Sequence, residues 1–218
     1  MTYTDVSDVG RPIVLVPIGS YEQHGPHLPP ETDTVIAVAL CHEAARRIGG
    51  LVVTPPVGIG ASGEHAGFTA TLSIGTRVLT DVLVEIGRSA DWSRCVVFVN
   101  GHGGNLDAIS SARATLDHEE RAVRFWSPRP PVDGDIHAGR VETSVMMAIA
   151  PGSVRSDRMT AGNTSPLDTI IDEMRIRGVR GVSTNGVLGD PSSSTIEEGR
   201  QILETWTADL CRIIGAVT

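Results

Sequence analysis

Short apolar runs and longer amphipathic stretches alternate along the chain, and the alternation predicts its layout. Ile13–Ile18 is apolar throughout, with the ring of Pro17 inside it, and breaks at Gly19; six such residues predict a buried strand. Over residues 34–48 the apolar positions recur at three and four (Val35, Val38, Ala39, Cys41, Ala45), a helical pattern stopped by Gly49-Gly50. Residues 51–54 predict a second strand, ended by Pro55-Pro56. Thr76 is placed to cap a helix through Ser89, with Val78, Leu79, Val82, Leu83 and Ile86 on one face. The run RCVVFV, 94–99, predicts a third strand, followed by the turn N-G-H-G-G-N and a helical stretch to Glu120. Residues 122–126 predict a fourth strand, closed by P-R-P-P at 128–131. Helices are expected over 141–150 and 167–176. A last helix carries Ser194 and Glu197 in a capping-box pattern, with Leu203, Trp206, Leu210 and Ile213 as its apolar stripe. Residues 1–12 read as a loose lead-in, and 57–75 and 181–194 as loops.

Strand, glycine-rich turn and helix thus follow one another repeatedly. That order predicts an α/β fold, a three-layer α/β/α arrangement with a mostly parallel sheet, in which ligands gather beyond the carboxyl ends of the strands. A length of 218 residues suits one domain spanning 1–218.

Charge narrows the partners. With 26 acidic against 18 basic residues the formal charge is −8, which argues against nucleic acid or an anionic membrane surface. Cys41, Cys95 and Cys211 are odd in number and far apart, the usage of reduced core thiols in the cytoplasm. No run is long or apolar enough for a signal or a membrane span, so a soluble cytoplasmic protein is expected.

The chemistry-bearing residues cluster next to the predicted strand ends. Glu22 and His24, two apart after the first strand, leave an extended backbone on the same side, and Asp33 follows nine residues on. Such a set suits Zn²⁺, Mn²⁺ or Fe²⁺; the same loop read alone also suits a solvated turn. His102 sits in the turn after the third strand. That turn resembles a phosphate cradle in its glycines, but it lacks both the GxGxxG and Walker spacings and any lysine or arginine. Glu142 opens a predicted helix, with His137 on the loop before it. Together Glu22, His24, Asp33, His102 and Glu142 offer three carboxylates and two imidazoles. If Asp33 bridges, two divalent ions receive three protein ligands each, and a net charge near +1 remains to hold a hydroxide.

The segments GSYEQHGPHLPPETDT, NGHGGN and HAGRVETS are similar, in order and spacing, to the signature segments of the creatininase (creatinine amidohydrolase) family. The resemblance covers nearly the whole chain and implies an α/β/α fold, two divalent metal ions and often a homohexamer. It matches metal ligands to Glu22, His24, Asp33 and His102, and an acid/base histidine with its nearby glutamate to His137 and Glu142. Creatininases place a glutamate two residues after the NGH histidine; here Gly104 stands there, which leaves the fifth ligand to Glu142. Within the family, GASGEHAGFTATLSIGT, LVEIGRSA, VFVNGHGGN and GVLGDPSSST resemble the branch that works in mycofactocin biosynthesis. That implies a peptidase cutting a ribosomally made precursor peptide before its modified C-terminal Val-Tyr unit. A metal-bridged hydroxide would attack the carbonyl, His137 would protonate the departing amine, and Glu64 with His65 would orient substrate or form a surface pair. Other C–N hydrolases of the family, acting on a cyclic amide or a formamide, and a non-enzymatic precursor-binding scaffold are the alternative readings.

Overall fold

The computed structural model describes residues 2–129, 131 and 134–217. Met1, Pro130, Val132, Asp133 and Thr218 lie outside the described residues, Pro130 being one proline of the expected stretch closing the fourth strand.

Four strands, β1 (Ile13–Ile18), β2 (Leu51–Val53), β3 (Cys95–Asn100) and β4 (Val123–Trp126), form one parallel sheet in the order β2-β1-β3-β4. Pleating sends alternate residues of β1 and β3 to opposite faces, each buried against helices. Ile13, Leu15, Cys95, Val97 and Val99 meet α2 (Thr32–Arg47), α5 (Arg140–Ile149) and α8 (Ile196–Gly215). Val14, Val16, Ile18, Val96 and Phe98 meet α3 (Gly75–Ser89) and α4 (Leu106–His118). The result is the expected α/β/α sandwich. Pro17 is tolerated because β2 has ended before it: Pro17 needs only its carbonyl there, which accepts from Val57 N at 2.9 Å.

Several local expectations shift. Residues 3–8 form a helix, α1 (Tyr3–Asp8), because Thr2 and Asp5 make a reciprocal capping box. Helix α2 starts two residues early, so Asp33 lies in its first turn, and its buried stripe is Ile36, Ala37, Leu40, Cys41 and Ala44. Helix α3 begins at Gly75 without a side-chain cap, and Val78 of its expected stripe is exposed. At α8 the cap is Thr195, whose hydroxyl accepts from Glu198 N, while Ser194 donates to the Arg140 carbonyl instead. Two short helices, α6 (Leu167–Arg177) and α7 (Val179–Val182), close over a small cluster of Ile170, Val179 and Leu188. Among the described residues no helix is long and apolar enough to cross a membrane.

Candidate metal centre

The parallel sheet aims the ends of β1 and β3 the same way, with Ile18 opposite Asn100. The loops that leave them carry Glu22 with His24 and His102, and the start of α2 swings Asp33 between them. Close approach is needed for this: a Cβ on Gly101 would stand 2.5 Å from the Asp33 carbonyl oxygen. Asn105 ties the two loops, donating to the Gly19 carbonyl and to Asn100 Oδ1, both at 3.0 Å, and accepting from Ala61 N. Asn100 and Asn105 therefore frame the site. Sequence reading missed both, although they bracket the N-G-H-G-G-N turn.

Asp33 is the shared member. Its Oδ1 lies 3.1 Å from His24 Nε2 and its Oδ2 3.1 Å from His102 Nδ1, while Ser20 donates to Oδ2 at 2.7 Å. His102 Nε2 is 3.1 Å from Glu22 Oε2, and His24 Nε2 is 3.9 Å from Glu142 Oε2. Four overlapping groups bring their potential ligand atoms within 4.8 Å of one another: Glu22–His24–His137, Glu22–Glu64–His65, and the two triads that share Asp33, Glu22–Asp33–His102 and His24–Asp33–Glu142. His24 Nδ1 donates to the Glu22 carbonyl at 3.0 Å, which leaves Nε2 to face the carboxylates.

His137, Glu64 and His65 join the same neighbourhood. His137 Nδ1 stands 3.9 Å from Glu22 Oε1, and His137 Nε2 donates to the Gln23 carbonyl at 2.8 Å. The His137 ring lies between those of His24 and His65, at centroid distances of 4.3 and 4.5 Å. His65 Nε2 is 3.3 Å from Glu22 Oε1, and Glu64 Oε1 is 3.5 Å from His102 Nε2. At Gly104 an added Cβ would fall 2.6 Å from the Ala61 backbone carbonyl oxygen, as well as 2.2 Å from Glu64 Oε1 and 2.4 Å from His102 Nε2. Ala138 adopts φ 52°, a left-handed turn that lets its N–H reach Glu142 Oε2 at 2.6 Å.

The donor set fits divalent cations. Glu22 is fully buried, and among the described residues neither carboxylate oxygen makes a well-formed hydrogen bond, its nearest polar neighbours being the His102 and His65 imidazoles, a costly state for an ionised group unless a cation stands beside it. Burial accordingly pushes the Glu22 and Glu142 carboxyls up to about 7, against the pull of His102 and His24 respectively. Burial pulls His24 down, but Asp33, Glu142 and Glu22 outweigh it and lift the imidazole to about 10. His102 is likewise held well above its ordinary value by Glu22, Asp33 and Glu64 despite its burial. Asp33 stays well below the usual carboxylate range, since His24 and His102 outweigh its burial. Protons thus do the neutralising that two dications would do, and ion binding would release them. His65, pushed down to about 3, and His137, pushed well below its ordinary value, are kept neutral, by burial first of all.

A cavity of about 940 Å³ with a largely apolar wall opens onto the cluster, reaching it at His102 and Glu142 and extending past Ile36, Leu106, Leu188 and Trp206. Its size is that of a site for a small organic group.

Comparison with known proteins agrees with this fold. The chain is 50% identical over 197 residues to the mycofactocin precursor peptide peptidase of Mycolicibacterium smegmatis, covering 88% of this chain and 79% of that one. A crystal structure of creatinine amidohydrolase superposes with a TM-score of 0.81 at 25% identity, over 99% of this chain and 95% of that one. A creatininase variant described as Zn-Zn type superposes at 0.79 and 25% identity, over 98% and 95%. The family profile for creatinine amidohydrolase matches residues 1–214, and the chain belongs to the creatininase family.

Proposed function

We propose that this chain is a metal-dependent peptidase of mycofactocin biosynthesis, hydrolysing the peptide bond before the modified C-terminal Val-Tyr unit of the precursor peptide and releasing the cyclised dipeptide product. The observation that carries the reading is the likeness at 50% identity to a peptidase of that name across most of both chains, joined to two ligand triads sharing one aspartate. Glu22, Asp33 and His102 would hold one ion and His24, Asp33 and Glu142 the other, as Zn²⁺, Fe²⁺ or Mn²⁺. Ions held there would acidify a water and polarise the scissile carbonyl.

The chain's own groups supply the rest. His137 is neutral and has its Nε2–H committed to the Gln23 carbonyl, so Nδ1 offers a lone pair toward the cluster. It takes the proton from the attacking water and returns it to the amine nitrogen as the C–N bond breaks, leaving the carboxylate and the amine as products. Glu64 and His65, on the 3-10 turn Gly63–His65, would orient the peptide. The family resemblance supports a cytoplasmic homo-oligomer, with a hexamer as the specific proposal, each copy contributing residues 1–218 as one domain.

The test incubates the metal-loaded protein with the modified precursor peptide and with creatinine or a formamide, following products by mass spectrometry. Release of the C-terminal dipeptide unit alone is expected. Turnover of only a cyclic amide or a formamide would move the chain to another C–N hydrolase of the family, and no turnover with any of them would favour a binding scaffold.

A further inference from the structure

Gln23 lies between two residues already given roles, and its side chain touches two more. The amide is buried. Its Oε1 accepts from Gly25 N at 2.9 Å, and its Nε2 lies 2.8 Å from His65 Nδ1, 3.1 Å from the Gly186 carbonyl oxygen and 3.1 Å from His137 Nε2. The two backbone groups fix which end is which: a flipped amide would set NH₂ against the Gly25 N–H and oxygen against the Gly186 carbonyl. The NH₂ end has two protons. One goes to Gly186 O. The other cannot go to His137 Nε2, because that nitrogen is itself donating to the Gln23 carbonyl. It goes to His65 Nδ1, and every donor and acceptor of the amide is then matched.

The bond pattern sets two tautomers at once. His65, accepting at Nδ1, carries its proton on Nε2, which faces Glu22 Oε1 at 3.3 Å. His137, donating at Nε2 to the carbonyl of the same residue, keeps Nδ1 bare toward the cluster. The backbone makes room for this amide: Gly186 has φ +82°, and a Cβ there would stand 1.9 Å from Gln23 Oε1. The turn 185–187 therefore closes directly onto it.

We propose that Gln23 is a positioning residue that fixes the tautomers of both His65 and His137, through its side-chain amide and its carbonyl respectively, and so aims the proton-transfer nitrogen Nδ1 of His137 at the reaction. The assignment rests on the peptidase reading only for what the proton transfer serves. Through His65, Gln23 also keeps an N–H pointed at Glu22 Oε1, while His102 Nε2 faces the other oxygen at 3.1 Å.

Neutron diffraction on the perdeuterated, zinc-loaded protein tests it without substrate. Deuterium is expected on Nε2 and not on Nδ1 of both His65 and His137. Deuterium on Nδ1 of either ring overturns the proposal. As a second arm, Gln23→Leu removes the side-chain amide while the carbonyl stays. It should retain bound zinc and substrate KM within about twofold, and lower kcat on precursor cleavage by about 10- to 100-fold, the usual effect of losing a hydrogen-bonding partner behind a metal site. Gln23→Glu cannot donate to His65, so there the His65 deuteron should move to Nδ1. An unchanged kcat in Gln23→Leu overturns the role given to the side-chain amide through His65, and a deuteron on Nδ1 of His137 overturns the role given to the carbonyl. A wild-type protein that cleaves no precursor while showing both Nε2 deuterons would instead overturn the peptidase reading and leave the tautomer assignment standing.

Discussion

The two halves of the candidate metal centre share Asp33 and differ in how they treat the other carboxylate. In Glu22–Asp33–His102 every member is buried, and Glu22 has no hydrogen bond to either oxygen. In His24–Asp33–Glu142 the glutamate keeps 22% of its side chain exposed and accepts from Ala138 N. Burial pushes both carboxyls up to about 7, so each calls for a cation or a proton, and the difference is that Glu142 keeps a backbone donor and some exposure whereas Glu22 is sealed among imidazoles. The triad built on fully buried Glu22 should therefore hold its ion more tightly than the one built on partly exposed Glu142.

The largest effect should come from breaking what the halves share. Asp33→Ala removes a ligand from both, and metal analysis should find neither ion, with activity down by at least about 10³-fold, the scale seen when a reacting constellation loses a member. Retention of two ions per chain would end the bridging assignment. Next comes a group belonging to neither triad: His137→Ala should keep its metal and lose about 10²- to 10⁴-fold in kcat, the range of a general acid–base. Normal turnover there would move the proton carrier elsewhere.

The comparison is sharpened by matched substitutions. Glu142→Gln should lose one ion on mild chelation and keep the other, whereas Glu22→Gln should lose the tighter one. Equal retention in the two variants would show the halves to be equivalent. The smallest effect is on stability against pH. Glu22 and Glu142 have folded-state values near 7, raised from an ordinary 4.5. Raised groups stabilise fully below 4.5, and the contribution is lost as pH climbs through 7. The metal-depleted protein should accordingly lower its Tm between about pH 5 and 8, while the zinc-loaded protein gains over the same window because protons no longer compete. Parallel Tm profiles would show that these carboxyls do not carry the ions.

How much of this was legible beforehand depends on the range of the interaction. The strands of the sheet were readable because buried parallel strands are apolar runs, and β1 ends where Gly19 interrupts one. In α8 the expected stripe packs on the core, with Trp206 and Leu210 buried and Leu203 and Ile213 half-buried against it, but the stripe is wider than expected and its centre also takes in Ile202 and Ile214. Periodicity gives a helix's existence more firmly than its rotation, which the facing layer decides. The capping box of α1 was overlooked for want of an apolar pattern behind it, and Ser194 lost its capping role to Thr195 because its hydroxyl was drawn to the Arg140 carbonyl.

The site divides the same way. Residue types and their places after strand ends were local facts, so Glu22, His24, Asp33, His102 and Glu142 could be named as candidate ligands from the chain alone, and the fold brings them together. The roles of Gln23, Asn100 and Asn105 could not, since an amide's use depends on which donors and acceptors from distant segments surround it. Nor could the crowding at Gly104, where the Ala61 carbonyl and the Glu64 carboxylate come in from some forty residues away in sequence. Sequence by itself determined the layered fold and the inventory of candidate ligands, because burial period and residue chemistry are properties of short stretches. Only the tertiary structure decided which oxygen faces which nitrogen, which carboxylate is left without a partner and where each imidazole keeps its proton, because those depend on distances of a few ångströms between segments far apart in the chain.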